Sequence, residues 1–148
     1  MSSSTVLLVH IAATWYMTGL IWMVQIVHYP LMRLVGREGF IAYSIQHQSS
    51  TSLVVGPAML VEVLTAAWLL SQDEELRRSG WFLGSCGLLL VVWVSTAGWQ
   101  MPCHRALLQG YDESQVRTLV QSNWVRTIAW TMRGLIVTGL IASRLRAT

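Results

Sequence analysis

Four apolar runs divide the chain: Thr5 to Tyr29, Ser50 to Leu70, Trp81 to Met101 and Asn123 to Ala142. Each supplies roughly the 20 residues that a helix needs to cross about 30 Å of hydrocarbon. Helices satisfy their own backbone hydrogen bonds where lipid cannot. The pattern therefore predicts an all-α, four-helix transmembrane bundle forming one domain over residues 1–148. Met1-Ser-Ser-Ser lacks the basic start of a signal peptide, and the apolar run behind it is longer than a typical h-region. The first span is expected to be retained.

Residues recurring every three or four positions inside these runs share one helix face, and on three of the runs that face carries the polar side chains. The first span carries His10, Thr14, Met17, Ile21, Gln25 and His28. The second carries His47, Thr51, Val54, Ala58, Glu62 and Thr65, with Pro57 expected to kink it or free a carbonyl. The fourth carries Asn123, Arg126, Trp130 and Arg133. All three stripes should face protein. On the third span Gly80, Gly84, Gly87, Val91, Ser95 and Gly98 form a small-residue ridge, expected to let a neighbouring backbone approach closely.

Up-down topology puts both termini and the loop Ser71 to Gly80 on one side, A, and the other two connections on side B. Arg77, Arg78, Arg144 and Arg146 fall on A, and Arg33, Arg37, Arg105 and Arg117 on B, so the basic residues do not orient the chain. We expect a multi-pass protein of a bacterial-type inner membrane with cytoplasmic termini. Trp68 and Trp81 near side A, and Trp99 and Trp124 near side B, suit the headgroup boundary. Composition agrees, with 53% hydrophobic and 11% charged residues. All ten basic residues are Arg and the net charge is +3. Basic residues flanking spans reflect the membrane surface and need no nucleic acid to explain them. Cys86 and Cys103 lie 17 residues apart on one predicted helix, too far for a mutual disulfide.

Glu62 and Arg133 stand out because an ionisable residue in mid-membrane normally finds a partner. Counted from side B their depths agree within about 3 Å at ~1.5 Å per residue. A buried Glu62–Arg133 salt bridge is expected. It either fixes helix register or takes part in proton transfer or substrate anchoring, and charge alone does not decide between these.

His28 ends the first span, His47 precedes the second and His104 follows the third, so the topology brings all three to side B. Either two histidines on haem iron (haem b) or three on a transition metal such as iron, copper or zinc is chemically reasonable. Interfacial histidines also hydrogen-bond to headgroups, water or loop carbonyls. Gln100, Tyr29, Asn123 and Arg126 sit at the same level, as supporting groups or as donors to an anionic substrate or cofactor. His10 lies apart, nearer side A. There is no HExxH, CxxCH or Gly-rich phosphate loop.

Between the third and fourth spans, Pro102 is expected to end or bend a helix, and Asp112 with Ser114 and Gln115 to cap the next. Val116, Leu119 and Val120 give the segment before Asn123 an apolar face. It is expected to be an interfacial helical segment, and either a lid over the histidines or a plain linker. Trp15, Trp22, Trp93 and Trp130 are candidates to wall an apolar pocket.

Gly19-Leu-Ile-Trp-Met-Val-Gln-Ile-Val-His-Tyr-Pro-Leu-Met, Val55-Gly-Pro-Ala-Met-Leu, Pro102-x-His104 and Asn123-Trp124-x-Arg126-Thr127-x-x-Trp130-x-x-Arg133 together resemble the anthrone-oxygenase-like family of small four-span membrane proteins. A weaker resemblance, through His10, Trp15, Gly19 and Pro57-Ala58-Met59, is to membrane-bound protoporphyrinogen oxidase, which implies haem; the Asn123-Trp-Val-Arg-Thr stretch departs from that family. The expectation is a small membrane oxidoreductase or oxygenase. His28, His47 and His104 would hold a metal or haem, Asn123, Arg126 and Gln100 would orient cofactor or substrate, and Glu62 with Arg133 would supply a charged pair. Its partners would be the bilayer, an apolar small molecule, and a second copy or larger membrane complex. The competing expectation is a non-enzymatic membrane subunit or small-molecule-binding protein whose polar residues are interhelical packing.

Overall fold

A computed structural model describes residues 2–147; residues 1 and 148, the ends of the expected domain, lie outside it. The described residues form an all-α bundle of five helices: α1 (Ser3–Leu34), α2 (Phe40–Gln72), a short α3 (Glu74–Arg78), α4 (Gly80–Leu107) and α5 (Glu113–Ala147). Four of them are long and apolar enough to cross a membrane. Leu8, Ile26, Leu53, Leu64, Leu90, Val94, Ile128 and Leu135 are exposed on the outside, as expected of a surface that faces hydrocarbon. This is a membrane protein by its surface as well as by its sequence.

The spans are longer at their ends than the apolar runs. The Ser71–Gly80 connection folds into α3, with Asp73 accepting from the Leu76 N–H and Ser79 from the Phe82 N–H. Asp112 Oδ1 accepts from the Ser114 and Gln115 N–H groups, as its position predicts, and the bond from the Ser114 hydroxyl foremost, with these two, holds its carboxyl below the usual range. The segment that follows is helical and runs without a break into the fourth span. Val116 and Leu119 are buried in the core, where they join Phe40, Leu107 and Tyr29.

Neither Pro30 nor Pro102 ends its helix. Each follows a five-residue π-helical turn, Val24–His28 in α1 and Thr96–Gln100 in α4. A proline removes one hydrogen bond and crowds the preceding turn, and the wider turn accommodates it. α2 likewise continues through Pro57.

α1 packs on α2 and α5, and α4 packs on α5. α2 approaches α4 mainly at the Met101–Leu107 end. The spatial order is therefore α2, α1, α5, α4, an open arc whose two ends face each other across a slot. Val6, Leu7, Leu69, Leu76 and Phe82 close side A.

Two expectations about faces need correction. The α4 ridge points outward, with Gly80, Gly84, Gly87, Val91 and Gly98 exposed and no atom within 4 Å of a Cβ built on any of these glycines. Packing on α5 instead uses Phe82, Ser85, Leu89, Val92 and Ser95. On α2, Val54 is exposed, and the inward stripe runs through Val55 and Met59.

Candidate functional site

Two polar clusters occupy the interior. The deeper one contains the expected ion pair, with Arg133 NH1 3.2 Å from Glu62 Oε1 and both side chains buried. Glu62 also accepts from the Thr14 hydroxyl and the Trp130 indole, each at 2.9 Å. His10 belongs to this cluster. Arg133 NH2 lies 3.4 Å from His10 Nε2, and His10 Nδ1 lies 2.8 Å from the Thr65 hydroxyl, which donates to the Val61 carbonyl. An arginine only donates, so His10 Nε2 accepts and its Nδ1 carries the proton given to Thr65. Every link of this chain holds its proton in one place, which suits a framework that fixes the register of α1, α2 and α5.

The second cluster gathers the side-B residues. His28 Nε2 and His47 Nδ1 stand 2.8 Å apart with stacked rings, and the His47 and His104 ring centroids are 5.4 Å apart. The three histidines thus converge as the topology predicts. The hydroxyls of Tyr43 and Thr51 lie 3.3 Å from His28 Nε2 and 3.1 Å from His47 Nδ1. A single proton occupies the His28–His47 contact, and the hydroxyls complement whichever ring carries it. As placed, this pair cannot sandwich a haem iron. Two trans nitrogens, each about 2 Å from a metal, would be about 4 Å apart. Among the described residues no group of three His, Cys, Asp or Glu side chains is arranged to hold a metal ion.

Arg126 is the centre of the remaining contacts. It is 6% exposed, donates from Nε to Asn123 Oδ1 at 3.0 Å and from NH2 to the Tyr29 hydroxyl at 3.3 Å, and reaches Thr96 from NH1 at 3.4 Å. Asn123 donates to Gln25, which donates to the Val120 carbonyl. Tyr29 accepts from Arg126, so its own proton is directed to His104 Nε2, 3.3 Å away. The other ring nitrogen, His104 Nδ1, is buried without a hydrogen-bond partner. No carboxylate among the described residues pairs with Arg126; Glu62 serves Arg133.

These groups line a cavity of about 280 Å³. Tyr29, His47, Gln100, His104 and Arg126 form its side-B end, and Met17, Leu20, Ile21, Val55, Gly56 and Trp130 its deeper walls. Gln100 is held by hydrogen bonds with Ser95 and Ser122. Of the four tryptophans expected to wall a pocket, only Trp130 does so. Trp15, Trp22 and Trp93 are exposed, and the first two donate to Thr138 and Thr131 on the outer surface.

Sequence reasoning missed Tyr43 and Gln48 because they precede the apolar run of the second span. The helical spacing of Tyr43, His47 and Thr51 was the available signal. Comparison with protein-family models, curated proteins and solved structures gives no match.

Proposed function

We propose that this protein binds a lipid-dissolved small molecule with an anionic head, seating the head on Arg126 and the apolar body against Met17, Ile21 and Val55. The observation that carries this reading is the unpaired charge of Arg126, a buried guanidinium that lines a cavity and has only neutral partners. Burying an uncompensated charge is costly. An anionic head offsets that cost. Tyr29, His47 and His104 are the acid–base groups that a proton-coupled reaction of the ligand would use. The resemblance to anthrone-oxygenase-like proteins is in keeping with an apolar small-molecule ligand.

The test is binding of an aromatic carboxylate and of its neutral amide to purified wild type and Arg126→Gln, read by calorimetry. The carboxylate should bind wild type at least about tenfold more tightly than the amide, the worth of one charged hydrogen bond, and lose that preference in the variant. Equal binding of both by wild type would overturn the reading.

A second reading has one observation in its favour. His28 Nε2 and His47 Nδ1 lie 2.8 Å apart, with the Tyr43 hydroxyl beside the first and the Thr51 hydroxyl beside the second, so a transition metal held by the two histidines, in an oxidoreductase, is the alternative. Stoichiometric metal in wild type, lost in His28→Ala and His47→Ala, would support it. A metal-free wild type after iron, copper and zinc have been offered would dismiss it.

A further inference from the structure

From the cavity's shape and the open arc of helices we infer that the ligand is a single-chain monoanionic amphiphile, a long-chain carboxylate. It is loaded sideways from the side-B leaflet through the slot between α2 and α4. This rests on the reading of Arg126 as the anion anchor and adds the chain and the route.

The charge sets the head. One positive charge is uncompensated, so a monoanion neutralises the site, and most donors of Arg126 are already committed to Asn123, Tyr29 and Thr96. The depth sets the orientation. Arg126 and Tyr29 sit towards side B, whereas Met17 lies 12 residues from Tyr29 along α1, about 18 Å at helical rise. An amphiphile in the side-B leaflet has the same polarity, with its head at the interface and its chain towards mid-bilayer. It reaches the site by translation alone.

The volume sets the route. About 280 Å³ is just below the range of pockets that enclose drug-sized ligands, so a long chain must leave the cavity. It can leave only where helices part. α2 and α4 do not pack along their middles, and a second cavity of about 210 Å³ lies between them, sharing His47, Thr51, Ser52, Met101 and His104 with the first. Ser52 and Met101 are exposed, so the slot reaches the surface that faces lipid. At side B it is bridged by one hydrogen bond, from Gln48 Nε2 to the His104 carbonyl at 2.9 Å. Gly56 marks the deep end. A Cβ built there meets nothing within 4 Å, so a side chain introduced at this position starts into open space.

The experiment uses full-length protein in nanodiscs with a long-chain carboxylate carrying a mid-chain diazirine. Photolabelling is mapped by mass spectrometry, and benzoate binding is measured in parallel. Label should fall on the peptides containing Ser52 to Gly56 and Thr96 to Met101. It should drop at least about fivefold in both Gly56→Phe and Arg126→Gln, and be outcompeted by the unlabelled carboxylate but not by the long-chain alcohol. Thermal unfolding of Gly56→Phe in the same nanodiscs, with a melting temperature close to that of wild type, shows that the variant is folded. Label spread over the outer faces and indifferent to Gly56→Phe, with benzoate still dependent on Arg126, would overturn the slot and leave the anchor standing. No Arg126-dependent binding of either probe would overturn both.

Discussion

Glu62 and Arg133 meet at 3.2 Å across α2 and α5 with side chains 0% and 1% exposed, yet neither Nε nor NH1 of Arg133 makes a hydrogen bond. The contact is an ion pair held by charge, not by aligned donors. Removing one partner of such a pair leaves the other buried and uncompensated, at a cost of about 3–5 kcal/mol. Glu62→Gln and Arg133→Met should each destabilise the protein by that order. The double variant should recover part of the loss, since no charge is then stranded, but stay below wild type because Thr14 and Trp130 lose a charged acceptor. Thermal unfolding of the four proteins in detergent gives the cycle. Additive losses would show that the two charges do not interact.

How far this architecture was legible in the sequence depends on which physical signal each part leaves. Length and hydropathy gave the four spans, and the three-to-four spacing gave the inward faces of α1 and α5, because burial of His10, Thr14, Gln25, Asn123 and Arg126 leaves no other arrangement in lipid. Depth counting found the Glu62–Arg133 pair because both residues lie on uninterrupted α-helices, where residue number tracks depth. The glycine ridge misled because, in a membrane, small residues suit a lipid-facing surface as well as a packed one. The π-turns before Pro30 and Pro102 leave no periodic signature at five residues. They keep α1 and α4 running, so Pro30 and His104 lie inside helices where the apolar runs alone suggested connections. That α2 and α4 part from each other is a property of tertiary order, which hydropathy does not encode.

Gly134 is the one glycine whose hydrogen faces a packed ring. A Cβ there would lie 3.2 Å from two carbons of the Trp15 indole, whose Nε1 donates to Thr138 one turn further along. Gly134→Val should displace that ring and cost about 1–3 kcal/mol by overpacking. Gly87→Val, in the same type of helix but with nothing within 4 Å, isolates the steric effect from β-branching and should cost clearly less. Melting temperatures of the two variants, with Trp15 followed by indole NMR, compare them. Equal melting temperatures would mean that the α1–α5 contact at Trp15 is not tight.

Asp73 ties the α2–α3 junction to the end of α5. Its carboxylate accepts from Arg144 at 2.9 Å and from the Leu76 N–H at 3.0 Å, and the Arg144 bond foremost holds its pKa below the ordinary carboxylate value. The folded state therefore releases this proton more readily than the unfolded chain does. Its contribution to stability is complete above the unfolded pKa of about 3.9, and is lost as the pH falls through the lower folded value. Melting temperature should fall more steeply with acid in wild type than in Asp73→Asn, which lacks the titrating group and should start lower at neutral pH. Glu75, 3.1 Å from Arg144 but exposed, remains as a weak partner in the variant, so the neutral-pH loss should be modest. Parallel acid profiles for the two would show that the Asp73–Arg144 contact does not persist in solution.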